Sequence, residues 1–368
     1  MSDLPLAAMR PDLALPATAP ARAAGEDRPW MLGPGLDLIL FVGVTLLTVI
    51  PWIVSDVLGR PGHDVLVGVA IVNGPHLIST WTRVYLPRAE RFRRPVSYWV
   101  IPGLAFALAI ICYRLGGEWL RVIRSMIFYW ATWHFVAQSW GVLRIYQRKH
   151  GVADRVEAKL EKVILFGSTL FCVLHRLYTG PHTLFGVEIF YFRPAAELVN
   201  GVGAALVVVV AVYVALWLTR LRTHAAHEYL RPVYLAFNFF GFAMPFLVIR
   251  DGTAAFAAAA LWHAVQYIAI VWLYNRRRWA GGVEPGARVV SWVSQPGRSL
   301  AYMGLIAACA AGVYSVAFVS SRIADLPFER WALTFWTGLT LGHYYLDGVI
   351  WKSRRYNLRV LIGASART

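Results

Sequence analysis

About ten runs of roughly twenty apolar residues, each followed or preceded by a short loop, constrain this chain more than any other feature. A run of that length crosses the hydrocarbon of a bilayer as a helix, and inside lipid a helix or a closed barrel alone satisfies every backbone N–H and C=O. The runs are continuously apolar, whereas barrel strands alternate over about ten residues. The expected architecture is therefore all-α, a polytopic transmembrane bundle of about ten helices. The expected spans cover 36–58, 64–86, 97–115, 119–147, 159–178, 198–221, 229–249, 253–275, 300–319 and 327–351. Composition agrees, with 58% hydrophobic and 15% charged residues, against roughly 45–50% and 25% in soluble domains.

The placement of Lys and Arg tests this division, because short cytoplasmic loops collect them. With the N-terminus cytoplasmic, 26 of the 36 basic residues fall in alternate connections and tails on one side, seven fall on the other, and Arg83, Arg121 and Arg124 lie within spans. Both termini are expected to be cytoplasmic. The formal charge of +16 is thus a record of sidedness, not a signal for nucleic acid. Residues 1–30 are Ala- and Pro-rich with scattered charges and read as a disordered cytoplasmic tail, 31–356 as a single transmembrane domain, and 357–368 as a short basic tail. The outer connection near 181–197 is too short in its apolar part to cross, and reads equally as an interfacial segment or a structured loop. Cys112, Cys172 and Cys309 lie in apolar runs without paired spacing, which excludes a CxxC metal site and reads as packing.

Orientation makes depth countable. His76 lies 12 residues before Arg88, His134 lies 10 before Arg144, His263 lies 13 before Arg276, and His343 lies 9 before Lys352. All four spans run from outside to inside. At about 1.5 Å per residue the four histidines share one layer, within roughly 6 Å of each other in depth. Imidazole suits Fe, Zn, Cu and Ni, so His76, His134, His263 and His343 are the candidate metal ligands. Each carries a polar residue about one turn nearer the cytoplasm: Thr80, Gln138, Gln266 and Asp347. Such groups can bond the outer nitrogen of a ligating ring, and Asp347, Gln138 and Gln266 are the candidate catalytic residues. Arg83 and Asp347 should share a level and form an ion pair, while Asp347 as a metal ligand or a snorkelling group stays open. For Tyr267, one turn after His263, a polar role and simple packing stand level. The ordinary reading of any one intramembrane histidine is an interhelical hydrogen bond. The remaining histidines, His63, His150, His182, His224 and His227, read as solvated, and His175 as interfacial.

Isolated histidines on separate helices at matched depth resemble the general plan of histidine-rich polytopic membrane oxygenases, including the bacterial carotene-cleaving dioxygenases. The HxxxH and HxxHH boxes of membrane desaturases and alkane hydroxylases are absent. The resemblance implies a multi-pass protein, for instance of a bacterial inner membrane, with a transition metal, iron first. Its implied activity is hydroxylation, desaturation or cleavage of a lipid-soluble small molecule, with membrane lipids as partners and no nucleic acid. Two alternatives share the same layer: a haem-binding electron-transfer protein with axial histidines, and a proton-coupled transporter. No phosphate-binding glycine loop and no Ser-centred nucleophile elbow stands out.

Overall fold

The computed structural model describes residues 29–152, 155–219, 225–324, 327–351 and 360–361. The expected tails therefore lie outside the described residues except at 29–30 and 360–361, and so do His224, Lys352 and Arg354. Among the described residues the long helices are α1 (Pro34–Val57), α2 (Gly62–Val84), α3 (Val96–Leu115), α4 (Gly117–Lys149), α5 (Val156–Thr179), α6 (Ala196–Thr219), α7 (Ala226–Val248), α8 (Gly252–Arg278), α9 (Ser299–Ile323) and α10 (Phe328–Ile350). Seven of them, all but α4, α5 and α10, are long and apolar enough to cross a membrane. The other three have similar length but carry more polar side chains.

The centre of the bundle is α8, in which 94% of an 18-residue apolar stretch is buried, against 6% in α6. Its first half is a run of alanines, and Ala254, Ala257, Ala258 and Ala259 are almost wholly buried. Small side chains let neighbouring backbones approach closely where lipid offers no hydrophobic drive to associate. Asp251 starts the helix, its carboxylate accepting from the N–H groups of Thr253 and Ala254 at 2.8 Å each, which satisfies donors that lack helical partners. The contact between α10 and α3 uses the same device: a Cβ on Gly338 would sit 2.6 Å from the Phe106 ring.

Two further buried carboxylates, Asp37 and Glu161, tie helices together near the starts of α1 and α5. Asp37 accepts from the backbone of Met31 at 2.7 Å and Leu32 at 2.8 Å and from the Tyr146 hydroxyl at 3.0 Å. Glu161 accepts from Arg231 at 2.5 Å, Gln147 at 2.8 Å and Tyr213 at 3.1 Å, tying α5 to α7, α4 and α6. Prolines inside helices free carbonyls that must find donors. In α2 the carbonyl freed by Pro75 is that of Ile71, four residues earlier, while the Ser79 hydroxyl donates to the His76 carbonyl.

The connection after α5 is a structured loop. Thr183–Leu184 pairs antiparallel with Val187–Glu188 around Phe185. Its backbone is anchored by Thr253, which accepts from the Phe185 N–H, and by Ser125, which accepts from the Phe190 N–H. Cys112 and Cys172 are buried and Cys309 is half-buried, all three as free thiols.

Candidate metal centre

His76 on α2, His134 on α4, His263 on α8 and His343 on α10 converge. One nitrogen from each lies within 4.8 Å of the others, and all four side chains are buried. They form a closed circuit of neighbouring rings, with centroids separated by 4.9 Å (76 to 263), 4.9 Å (263 to 134), 5.0 Å (134 to 343) and 4.5 Å (343 to 76). Successive rings are turned 71–76° from one another. For Zn-like bonds of about 2.0–2.1 Å, ring centroids would stand about 4.5 Å apart around a square and about 5.2 Å around a tetrahedron. The observed spacings fall between those limits.

The donor chemistry fits as well. Nδ1 of His76 and both nitrogens of His263 are buried without a hydrogen-bond partner among the described residues. Leaving such a group unsatisfied costs about 1–3 kcal/mol, and a metal ion is one acceptor of their lone pairs. Nε2 of His343 and Nε2 of His134 face each other at 3.2 Å, close to the spacing of two ligands on one ion. Four buried histidines thus lie close enough to bind a metal ion.

The surroundings orient these rings, though not in the pairs the sequence suggests. Thr80, one turn after His76, bonds Nδ1 of His343 at 2.8 Å instead. The same hydroxyl meets the Tyr267 hydroxyl at 2.8 Å, and Tyr267 donates to Asp347 at 2.5 Å. Tyr267 is therefore a polar participant. The other oxygen of Asp347 points inward, 3.7 Å from Nε2 of His343 and 3.8 Å from Nε2 of His134. Gln138 and Gln266 do not reach ring nitrogens in the way expected of them. Gln138 donates to Gln266 at 3.0 Å and to the His263 carbonyl at 3.2 Å, and Gln266 donates to the Phe41 carbonyl at 3.1 Å. They lock α4 to α8 and α8 to α1, leaving Oε1 of Gln138 without a partner among the described residues. Arg83 lies with its guanidinium over the rings of Tyr274, at 3.8 Å, and Trp351, at 4.2 Å, and the Trp351 indole donates to Tyr267 at 3.4 Å.

Aromatic rings close the shell: Phe135 lies 4.4 Å from His263 and Tyr344 lies 4.6 Å from His134, centroid to centroid. Between α4 and α10 a cavity of about 610 Å³ reaches the cluster, with His134, Gln138, Tyr267 and Asp347 on its inner wall. This cavity has no signature in the sequence, because a gap between helices depends on how they are rotated.

Of the histidines set aside, His63 is half exposed beside Asp64 and Glu329, and His182 stacks on Tyr191 at 3.5 Å. His150 corrects the expectation of a solvated ring. It is 9% exposed, packed against Tyr146 and His227, because the turn after α4 folds it under the start of α7. The class that fold and site define is a multi-helix protein, with helices fit to span a membrane and a buried histidine group fit to hold a metal. No protein-family description, curated protein or solved structure matches the chain.

Proposed function

We propose that this is a membrane-embedded, metal-dependent enzyme that oxidatively transforms a lipid-soluble substrate, by hydroxylation, desaturation or cleavage. The observation that carries the reading is the convergence of four imidazoles from four helices on one point, at the inner end of a cavity with apolar walls. All ten long helices cross the bilayer in this reading, with both termini cytoplasmic as the 26-to-7 bias of basic residues requires. A bacterial inner membrane is the proposed setting.

His76, His134, His263 and His343 hold a transition metal, iron in the first instance. When bound, iron supplies the redox chemistry that dioxygen needs to attack a C–H or C=C bond. The chain supplies the rest. Asp347 turns a carboxylate oxygen toward the nitrogens of His134 and His343, where it completes or tunes the ligand set. Gln138 presents its free carbonyl oxygen beside the cavity and meets the substrate, while Gln266 positions Gln138 through their mutual bond. Phe135 and Tyr344 keep water from the rings. Arg83 is the proposed counter-charge of Asp347 on the cytoplasmic side.

A bare ion suits the spacing better than a haem. A macrocycle roughly 10 Å wide must slide between its axial rings, and here each imidazole already touches two others at 4.5–5.0 Å. The test is to incubate the iron-loaded protein with dioxygen, a reductant and a lipid extract, and to follow oxygen uptake and product masses. Uptake with oxygenated, desaturated or cleaved lipid is expected, and its loss in His134→Ala. A protein that binds metal but leaves every lipid unchanged would overturn the enzymatic part.

A further inference from the structure

The cavity between α4 and α10 is asymmetric along its length. His134, Tyr267 and Asp347 line it deep inside, Trp130 and Trp133 stand within about one turn beyond His134, Trp140 and Trp351 wall the stretch nearer the cytoplasm, and Arg144 and Arg148 stand at the cytoplasmic end. Trp140 on the wall is flanked by two cations: the Arg144 guanidinium lies 5.4 Å from its ring centre, and the Lys162 ammonium lies 5.5 Å away. Asp347, deep inside, is the one carboxylate among the described lining residues. Trp133 forms an outer lip and is 60% exposed, so the cavity is open toward the surface that faces lipid.

Apolar walls, a positive mouth and a polar inner end are complementary to a chain with an anionic head. We infer that the substrate is a single acyl-type chain bearing a carboxylate or phosphate, which enters sideways from the inner leaflet. Its head is held by Arg144 and Arg148, and its mid-chain carbons lie against the histidine cluster. This rests on the function proposed above and names the substrate class for it. The cavity of about 610 Å³ suits about twenty chain atoms at roughly 30 Å³ each, within the usual range of ligand pockets. It is too small for both tails of a phospholipid, whose second tail would stay in the bilayer. The helix rise puts Arg144 about 15 Å from His134 along α4. A chain held at its head by Arg144 must therefore extend about 15 Å to bring its carbons against the cluster.

The test is retention of radiolabelled stearate, octadecanol and dioleoylphosphatidylglycerol by the full-length detergent-purified protein, with metal content measured on the same samples. Wild type should retain stearate about tenfold more tightly than octadecanol, a difference of order one charge-assisted contact. Arg144→Gln combined with Arg148→Gln should abolish that preference and leave metal content unchanged. Ala137→Trp, which fills the cavity from a lining position, should release stearate in a chain that still loads metal. Retention of stearate alone assigns a free chain, and retention of phosphatidylglycerol as well assigns a membrane lipid with one tail inserted; both support the inference. Equal retention of stearate and octadecanol, or an unchanged preference in the arginine variant, would overturn it. Neither result would touch the metal centre, whose own failure would appear as metal-free wild-type protein.

Discussion

Two buried polar clusters divide this molecule, and they are built on opposite terms. Around Glu161, each carboxylate oxygen is occupied: Arg231 and Tyr213 donate to one and Gln147 to the other, in a setting where Glu161 and Arg231 are almost fully buried. In the histidine cluster, Nδ1 of His76 and both ring nitrogens of His263 are equally buried and have no hydrogen-bond partner among the described residues. The Glu161 network holds helices together, since both carboxylate oxygens removed from water regain bonds, although Nε of Arg231 has no hydrogen-bond partner among the described residues. An unsatisfied one, held in place by neighbours that are themselves well bonded, is prepared for something outside the chain. The four rings are kept facing inward by Thr80, Tyr267 and Phe135, all from the same helices that carry the ligands.

If that contrast is right, mutations in the two clusters should fail differently. The largest loss of stability should follow Glu161→Ala, which leaves the buried Arg231, among the described residues, only its longer contact to Glu228 at 3.6 Å. Breaking a buried pair from one side costs about 3–5 kcal/mol, so the variant should unfold well below wild type in a detergent melting experiment, while any folded fraction still loads metal. Asp347→Asn should do the reverse. It keeps the side-chain volume and an oxygen that can accept from Tyr267, so melting should move less than in Glu161→Ala, while metal affinity falls about 10- to 100-fold, as for other groups that orient or complete a ligand set. Competition with a chelator measures it. Thr80→Val removes the hydroxyl that bonds Nδ1 of His343 and should weaken metal binding about fivefold to tenfold, of order 1 kcal/mol.

The smallest effect concerns pH. Burial, reinforced by the nearby Arg231 charge, pushes the His150 imidazole down to about 4 from its ordinary 6.5. Between those values the unfolded chain binds a proton that the folded chain refuses, so this residue makes stability fall as pH drops from 6.5 toward 4. His150→Gln should flatten that part of the pH–stability curve without altering metal content. A slope that persists unchanged would assign it to other groups.

Much of the fold was legible because lipid imposes a simple rule. Apolar length set the helix positions, and the observed ends of α2, α5 and α8 lie within a few residues of those read from the sequence. Basic clusters gave a common origin from which to count depth, which is why His76, His134, His263 and His343 could be assigned to one layer. Counting along a helix says nothing about rotation around its axis or about which helices are neighbours. Thr80 was therefore matched with His76 on its own helix when its hydroxyl serves His343 on another. Gln138 and Gln266 were assigned to ring nitrogens for the same reason, yet their amides face each other. The cavity beside the cluster, with Arg144 and Arg148 at its mouth, is a property of the gap between α4 and α10, and no residue pattern announces a gap.

The central claim is that the four imidazoles share one metal ion. X-ray absorption on the purified protein, after metal analysis, tests it most directly. One transition metal per chain is expected, with nitrogen or oxygen neighbours at about 2.0–2.1 Å and the outer scattering of several imidazole rings, both lost in His263→Ala. Wild-type protein that takes up no metal, or a bound metal whose neighbours include no imidazole, would contradict it.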